Sequence, residues 1–135
     1  MVKSISILIE HSTNKLPISF VKQKVTVNHY GKVSLIQKEY NENEKTTYVT
    51  NSTSGVVKKK DALSFLERAE KVLRKNMISE NTVTYNDYSC TITIKYDSET
   101  VKGKLKDIPY NIPDVEQTFY KLEQCLDADI VFFFE

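Results

Sequence analysis

The chain has 135 residues, 40% of them hydrophobic and 27% charged, and a formal net charge of +1. That length is one ordinary domain whose core can fold without disulfide or metal staples. The charge gives no overall pull toward nucleic acid or an anionic membrane, and no stretch approaches the roughly 20 apolar residues of a membrane span.

The opening "MVKSISILIEHS" has a charge and a short apolar run but no small-residue cleavage site, so it predicts a strand and not a secretion signal. Ile5, Ile7 and Ile9 fall on one face, and Ser4, Ser6 and Leu8 on the other. Two further alternating runs, 20–28 and 32–40, flank "HYG", where Gly31 supplies the positive φ of a hairpin. Residues 45–51, rich in β-branched and aromatic side chains, extend the meander, and "NSTSG" predicts a turn.

A helix is expected from Asp61, which is placed to cap it. Ala62, Phe65, Leu66, Ala69, Val72 and Leu73 recur at helical spacing, and Asn76 is the expected stop. Strands follow at 82–85 and 89–96, then a turn at "DSET" and an antiparallel return in "VKGKLKD". After "IPYNIP", stiffened by its prolines, a second helix starts near Asp114 with Val115, Phe119, Leu122 and Leu126 as its stripe. Strands come in runs and do not alternate strictly with helices, which defines an α+β class. The expected architecture is a single domain over residues 1–135, a mostly antiparallel sheet with two amphipathic helices on one face. Its order is β-β-β-β-α-β-β-β-α-β.

No constellation for catalysis emerges. Gly31, Gly55 and Gly103 are far apart, which excludes the clustered glycines of phosphate-binding loops. His11 and His29 have no zinc-site spacing and are expected in solvated turns. Acids at 41–44 and 127–129 fall in turns, without the run of oxygen ligands of a calcium loop. Cys90 and Cys125 fit no metal or redox motif and predict buried free thiols in a reducing cytoplasm. No catalytic residue, metal or cofactor is therefore expected.

Lysine and tyrosine carry the binding signal. Lys102, Lys104 and Lys106 alternate along one strand, as do Lys22 and Lys24, and Lys58, Lys59 and Lys60 run together. With Tyr30, Tyr48, Tyr85 and Tyr88 interleaved, such a surface suits phosphates and bases, although lysine is also the usual wet-face residue of an antiparallel sheet. Tyr85 and Tyr88 are the tyrosines expected to be exposed near a turn.

The stretch "DYSCTITIKYDSE", with the strand, proline connection and helix "VEQTFYKLEQCL" after it, resembles the pattern of emfourin-type α+β proteins. The resemblance covers about the last third of the chain and implies a metalloprotease-inhibitor reading. It carries over no functional residue, and Ser98-Glu99 stands where the turn glycine of that pattern is expected.

The expected function is a small non-enzymatic interaction module with an unidentified protein partner. Nucleic-acid binding through the lysine face is the alternative. The Lys-, Asn-, Ile- and Tyr-rich composition is that of AT-rich bacteria and their phages, where small proteins often act as immunity proteins, inhibitors or accessory factors; this is analogy at the level of composition.

The chain closes on "DIVFFFE", with Ile130, Phe132 and Phe134 on one face and Val131 and Phe133 on the other. A strand apolar on both faces belongs inside a sheet or against a partner, so an internal strand that pairs with the first or lies close to it is expected, with Val131 and Phe133 as a packing or homodimer face. Deleting Phe132–Glu135 is expected to unfold the domain or change its oligomeric state, read by circular dichroism and light scattering. A folded monomer would refute both expectations.

Overall fold

A computed structural model describes residues 1–11, 20–41, 46–78, 88–106 and 111–125. Its strands are β1 (Val2–His11), β2 (Phe20–Asn28), β3 (Lys32–Asn41), β4 (Thr46–Val56), β5 (Met77–Ile78), β6 (Tyr88–Tyr96) and β7 (Thr100–Leu105). Helix α1 (Lys59–Lys75) precedes β5, and α2 (Pro113–Cys125) follows β7. The strands form one seven-stranded sheet in the order β4-β3-β2-β1-β6-β7-β5, and every pairing is antiparallel.

Strand register builds the core in rungs. Val33, Val27, Ile5, Ile94 and Val101 lie side by side across five strands, and the next rung holds Leu35, Val25, Ile7, Ile92 and Gly103. A third runs Gln37, Gln23, Ile9 and Cys90, so a pair of buried amides borders the aliphatic core. Both helices seal this face. Helix α1 contributes Leu66, Ala69 and Leu73, and α2 contributes Val115, Phe119 and Leu122. The spacing of those residues gives each helix a single apolar stripe, which is why both lie flat on one side of the sheet.

Local chemistry explains the joints. In the β2–β3 hairpin the Asn28 Oδ1 accepts from the Tyr30 and Lys32 amides, each at 3.0 Å. Gly31 takes a φ of 93°, and a Cβ there would collide with the Val57 carbonyl. Asn76 stops α1 as expected: its side-chain amide donates to the Val72 carbonyl at 2.8 Å, and its own carbonyl accepts the Lys106 amide at 2.9 Å.

Three expectations need correction, and a fourth lies outside the described residues. Asp61 does not cap α1, because the helix begins two residues earlier, after Lys58, which makes no side-chain capping bond. Asp61 instead sits in the first turn, where an acid suits the helix dipole. "NSTSG" is strand and not turn, since Ser52, Thr53, Ser54 and Gly55 pair with β3 and the cross-strand ladder overrides their turn preference. The strand expected at 82–85 lies outside the described residues; a short strand not anticipated, Met77–Ile78, directly follows α1 and pairs with Leu105 and Lys104. Both edges of β1 are occupied, by β2 and β6, where the sequence pointed to the C-terminal run as a neighbour. Residues 126–135, with Val131 and Phe133, lie outside the described part.

Gly103 faces the core where β5 closes over β7. A Cβ there would lie 2.6 Å from the Ile78 carbonyl oxygen and 3.2 Å from the Met77 methyl carbon, whereas a Cβ on Gly55 would meet nothing within 4 Å. Gly103→Ala is therefore expected to cost about 1–3 kcal/mol, and Gly55→Ala to be neutral or slightly stabilising. Urea denaturation of the two variants measures the contrast, and equal midpoints would refute it.

Candidate functional site

The face of the sheet opposite α1 and α2 carries the candidate surface. Alternation and register place Lys22, Lys24, Lys32, Lys38, Lys95, Lys102 and Lys104 on it together. Glu10 is the one acid among the described side chains there, 3.6 Å from the Lys22 ammonium. Opposite charges this exposed attract each other weakly, so the pair does little to offset the positive field. A chain with a net charge of +1 thus concentrates cations on one face of its sheet.

Between the lysines runs a hydroxyl rung: Ser54, Ser34, Thr26, Ser6 and Thr93 occupy one register line across β4, β3, β2, β1 and β6 and end at Lys102. Ser6 Oγ and Thr26 Oγ1 lie 3.1 Å apart and share a hydrogen bond. The neighbouring rung mixes Ile36, Lys24, Leu8, Thr91 and Lys104. Short hydroxyls and long flexible amines on adjacent strands about 4.8 Å apart make a flat array of donors for an anionic partner.

The residues singled out in the sequence separate here. Lys102 and Lys104 share this face on β7, the first exposed and the second half-buried beside the β5 edge. Lys106 is exposed in the bend just past β7. Tyr88 opens β6, its side chain lying outside the described part, and Tyr85 lies wholly outside it. Lys58, Lys59 and Lys60 sit at the start of α1 near the hairpin, away from β7. Sequence reasoning missed Lys32, Lys38 and Lys95 as members of the array. Each shows the right parity within its own strand, but only register joins the strands into one surface.

The remaining polar groups have structural roles. His29 is half-buried in the hairpin turn, with Nδ1 3.1 Å from the Lys3 carbonyl oxygen and the ring 4.0 Å from that of Tyr30. The His11 side chain lies outside the described part. The Tyr96 hydroxyl donates to Glu70 Oε1 at 2.7 Å and accepts from Arg74 at 2.9 Å, which ties α1 to the end of β6. Burial, followed by the bond to Glu70, raises the Tyr96 pKa. Between α1 and α2 lies a groove of about 640 Å³ with Phe65, Ala69 and Val72 along it and Asp61 and Asp114 among its polar lining. Ser64 and Thr118 also line it, and among the described lining residues there is no histidine or cysteine. Among the described residues no group of three or more His, Cys, Asp or Glu side chains is placed to hold a metal ion, and no helix is long and apolar enough to cross a membrane.

No protein-family model matches the chain, and no curated protein matches it either. The likeness to emfourin-type proteins stays one of pattern.

Cys90 is fully buried in the third core rung, and burial pushes its thiol pKa far up. A thiol held protonated packs as a small hydrophobe and is no nucleophile. The folded state keeps this proton to higher pH than the unfolded chain does. Its stabilising effect is therefore complete below the unfolded thiol pKa of about 8.5 and fades as pH rises beyond it. Cys90→Val is expected to flatten the loss of stability between pH 7.5 and 9.5, measured as urea midpoints. An unchanged alkaline slope would refute the assignment.

Proposed function

We propose that the chain is a non-enzymatic binding module whose open sheet face docks an acidic protein partner. The segregation of charge carries the reading: lysines from β2, β3, β6 and β7 face one way, with Glu10 as the single described acid among them. A face of this kind steers an anionic partner and fixes its orientation during encounter. The hydroxyl rung supports the reading, because short side chains on a flat sheet leave hydroxyl and lysine donors within reach of carboxylates.

Nucleic acid is the second reading, since the same lysines suit phosphates. The described open face offers them no aromatic side chain for stacking, which favours protein over bases there.

The test is capture on the immobilised full chain from lysate of the native host, beside a Lys24→Glu/Lys104→Glu variant of checked fold. The wild-type chain is expected to retain an acidic protein at low salt and release it as salt rises. The variant is expected to retain at least tenfold less. Retention of nucleic acid alone would favour the second reading, and retention of nothing across several growth states would count against both.

A further inference from the structure

The hairpin corner gathers a second surface that the sequence scatters over 31 positions, from Tyr30 to Lys60. Val57 donates its amide to the Gly31 carbonyl at 2.7 Å, which pins the strand leaving β4 against the hairpin turn. Lys32 pairs across the sheet with Val56. The Lys59 amide nitrogen would lie 3.6 Å from a Cβ on Gly31. Tyr30, Lys32, Val56, Lys58, Lys59 and Lys60 therefore share one corner. All six are exposed, Tyr30 at 68% and Val56 at 82%.

Tyr30 thus presents an exposed ring near the end of β4, and the charge of the corner decides what can meet it. Lys32, Lys58, Lys59 and Lys60 give the corner four cations, with Asp61 of the first helical turn as the nearest acid in sequence. The Tyr30 ring packs against the His29 ring at 4.0 Å, with 37° between their planes. His29 is in turn held by two contacts to the Lys3 carbonyl, from its amide at 2.8 Å and from Nδ1 at 3.1 Å. The aromatic platform is thus braced from beneath, and its outer side is open.

An aromatic face with an open side, amid lysines and without arginine forks, matches the demands of single-stranded nucleic acid. Bases of any identity stack on the ring, and phosphates meet point charges on flexible stems. A protein hot spot instead sits in a desolvated pocket, and this corner is a protruding turn. Duplex DNA keeps its bases inside the stack and offers nothing to Tyr30.

We infer that the Tyr30 corner binds single-stranded nucleic acid without sequence preference, one base stacking on Tyr30 and flanking phosphates meeting Lys32, Lys58, Lys59 and Lys60. This corner borders the open face and shares Lys32 with it, but Tyr30, Lys58, Lys59 and Lys60 lie outside that face, and the inference does not depend on the protein-docking reading.

The probe is a fluorescein-labelled 12-nucleotide oligo-dT, followed by fluorescence anisotropy against the full chain at low salt. Binding is expected, with a slope of log K on log salt no steeper than about −3 for the four lysines, at roughly 0.7 per phosphate contact. Tyr30→Ala is expected to weaken it between about 5- and 150-fold, whereas Tyr30→Phe, which keeps the stacking face, stays within about twofold of wild type. Lys59→Glu/Lys60→Glu is expected to abolish it while leaving the fold intact, since acids suit a helix start. The open-face variant Lys24→Glu/Lys104→Glu is expected to keep most of the Tyr30-dependent binding, which separates the two surfaces. No binding at low salt overturns the inference. So does binding indifferent to Tyr30→Ala, or binding to anionic vesicles but not to oligo-dT.

Discussion

The structure depends on the register of β1. Hydrogen bonds along both edges fix this strand between β2 and β6, and its alternation of isoleucine with serine then decides what each face of the sheet becomes. Because side chains repeat every two residues, slipping β1 by one position would turn Ile5, Ile7 and Ile9 toward water and put Ser4, Ser6 and Leu8 under the helices. The same slip would break the core rungs and the hydroxyl rung together. The aliphatic core and the polar open face are two consequences of one alignment.

Helix placement follows from that alignment. With one face of the sheet apolar along three rungs, α1 and α2 each need only a narrow stripe to bury themselves. The Tyr96–Glu70–Arg74 bonds and the Asn76–Lys106 bond then fasten α1 to β6 and to the bend after β7. Charges left on the outer sides of the helices are of both signs, in contrast to the open face, where lysine dominates. The near-neutral total hides two strongly unequal surfaces.

Much of this was legible in the residues. Strict alternation marked β1, β2, β3 and β6, and helical spacing marked both helices. The "HYG" turn and the Asn76 stop rest on local backbone chemistry, so short windows of sequence suffice for them. What escaped was decided at a distance. The polar tract Ser52–Gly55 is strand because β3 lies beside it, and Met77–Ile78 is too short for any periodicity and exists through its pairing with β7. The candidate surfaces divide the same way. Lys102 and Lys104 announce themselves within one strand, whereas the company of Lys24 with Lys95, or of Tyr30 with Lys59, arises only when the chain closes on itself.

The central position of β1 also has a consequence in time. Its partner β2 follows within the next few residues, but β6 begins only at Tyr88. At about 5–20 residues per second, a ribosome leaves one edge of β1 unpaired for roughly 4–16 seconds after that strand is made. During that interval the nascent meander presents bare amides and carbonyls next to a row of isoleucines, the combination most prone to pairing with a stranger. For this chain the hazardous moment of folding comes during its own synthesis, before the strand that completes the sheet exists.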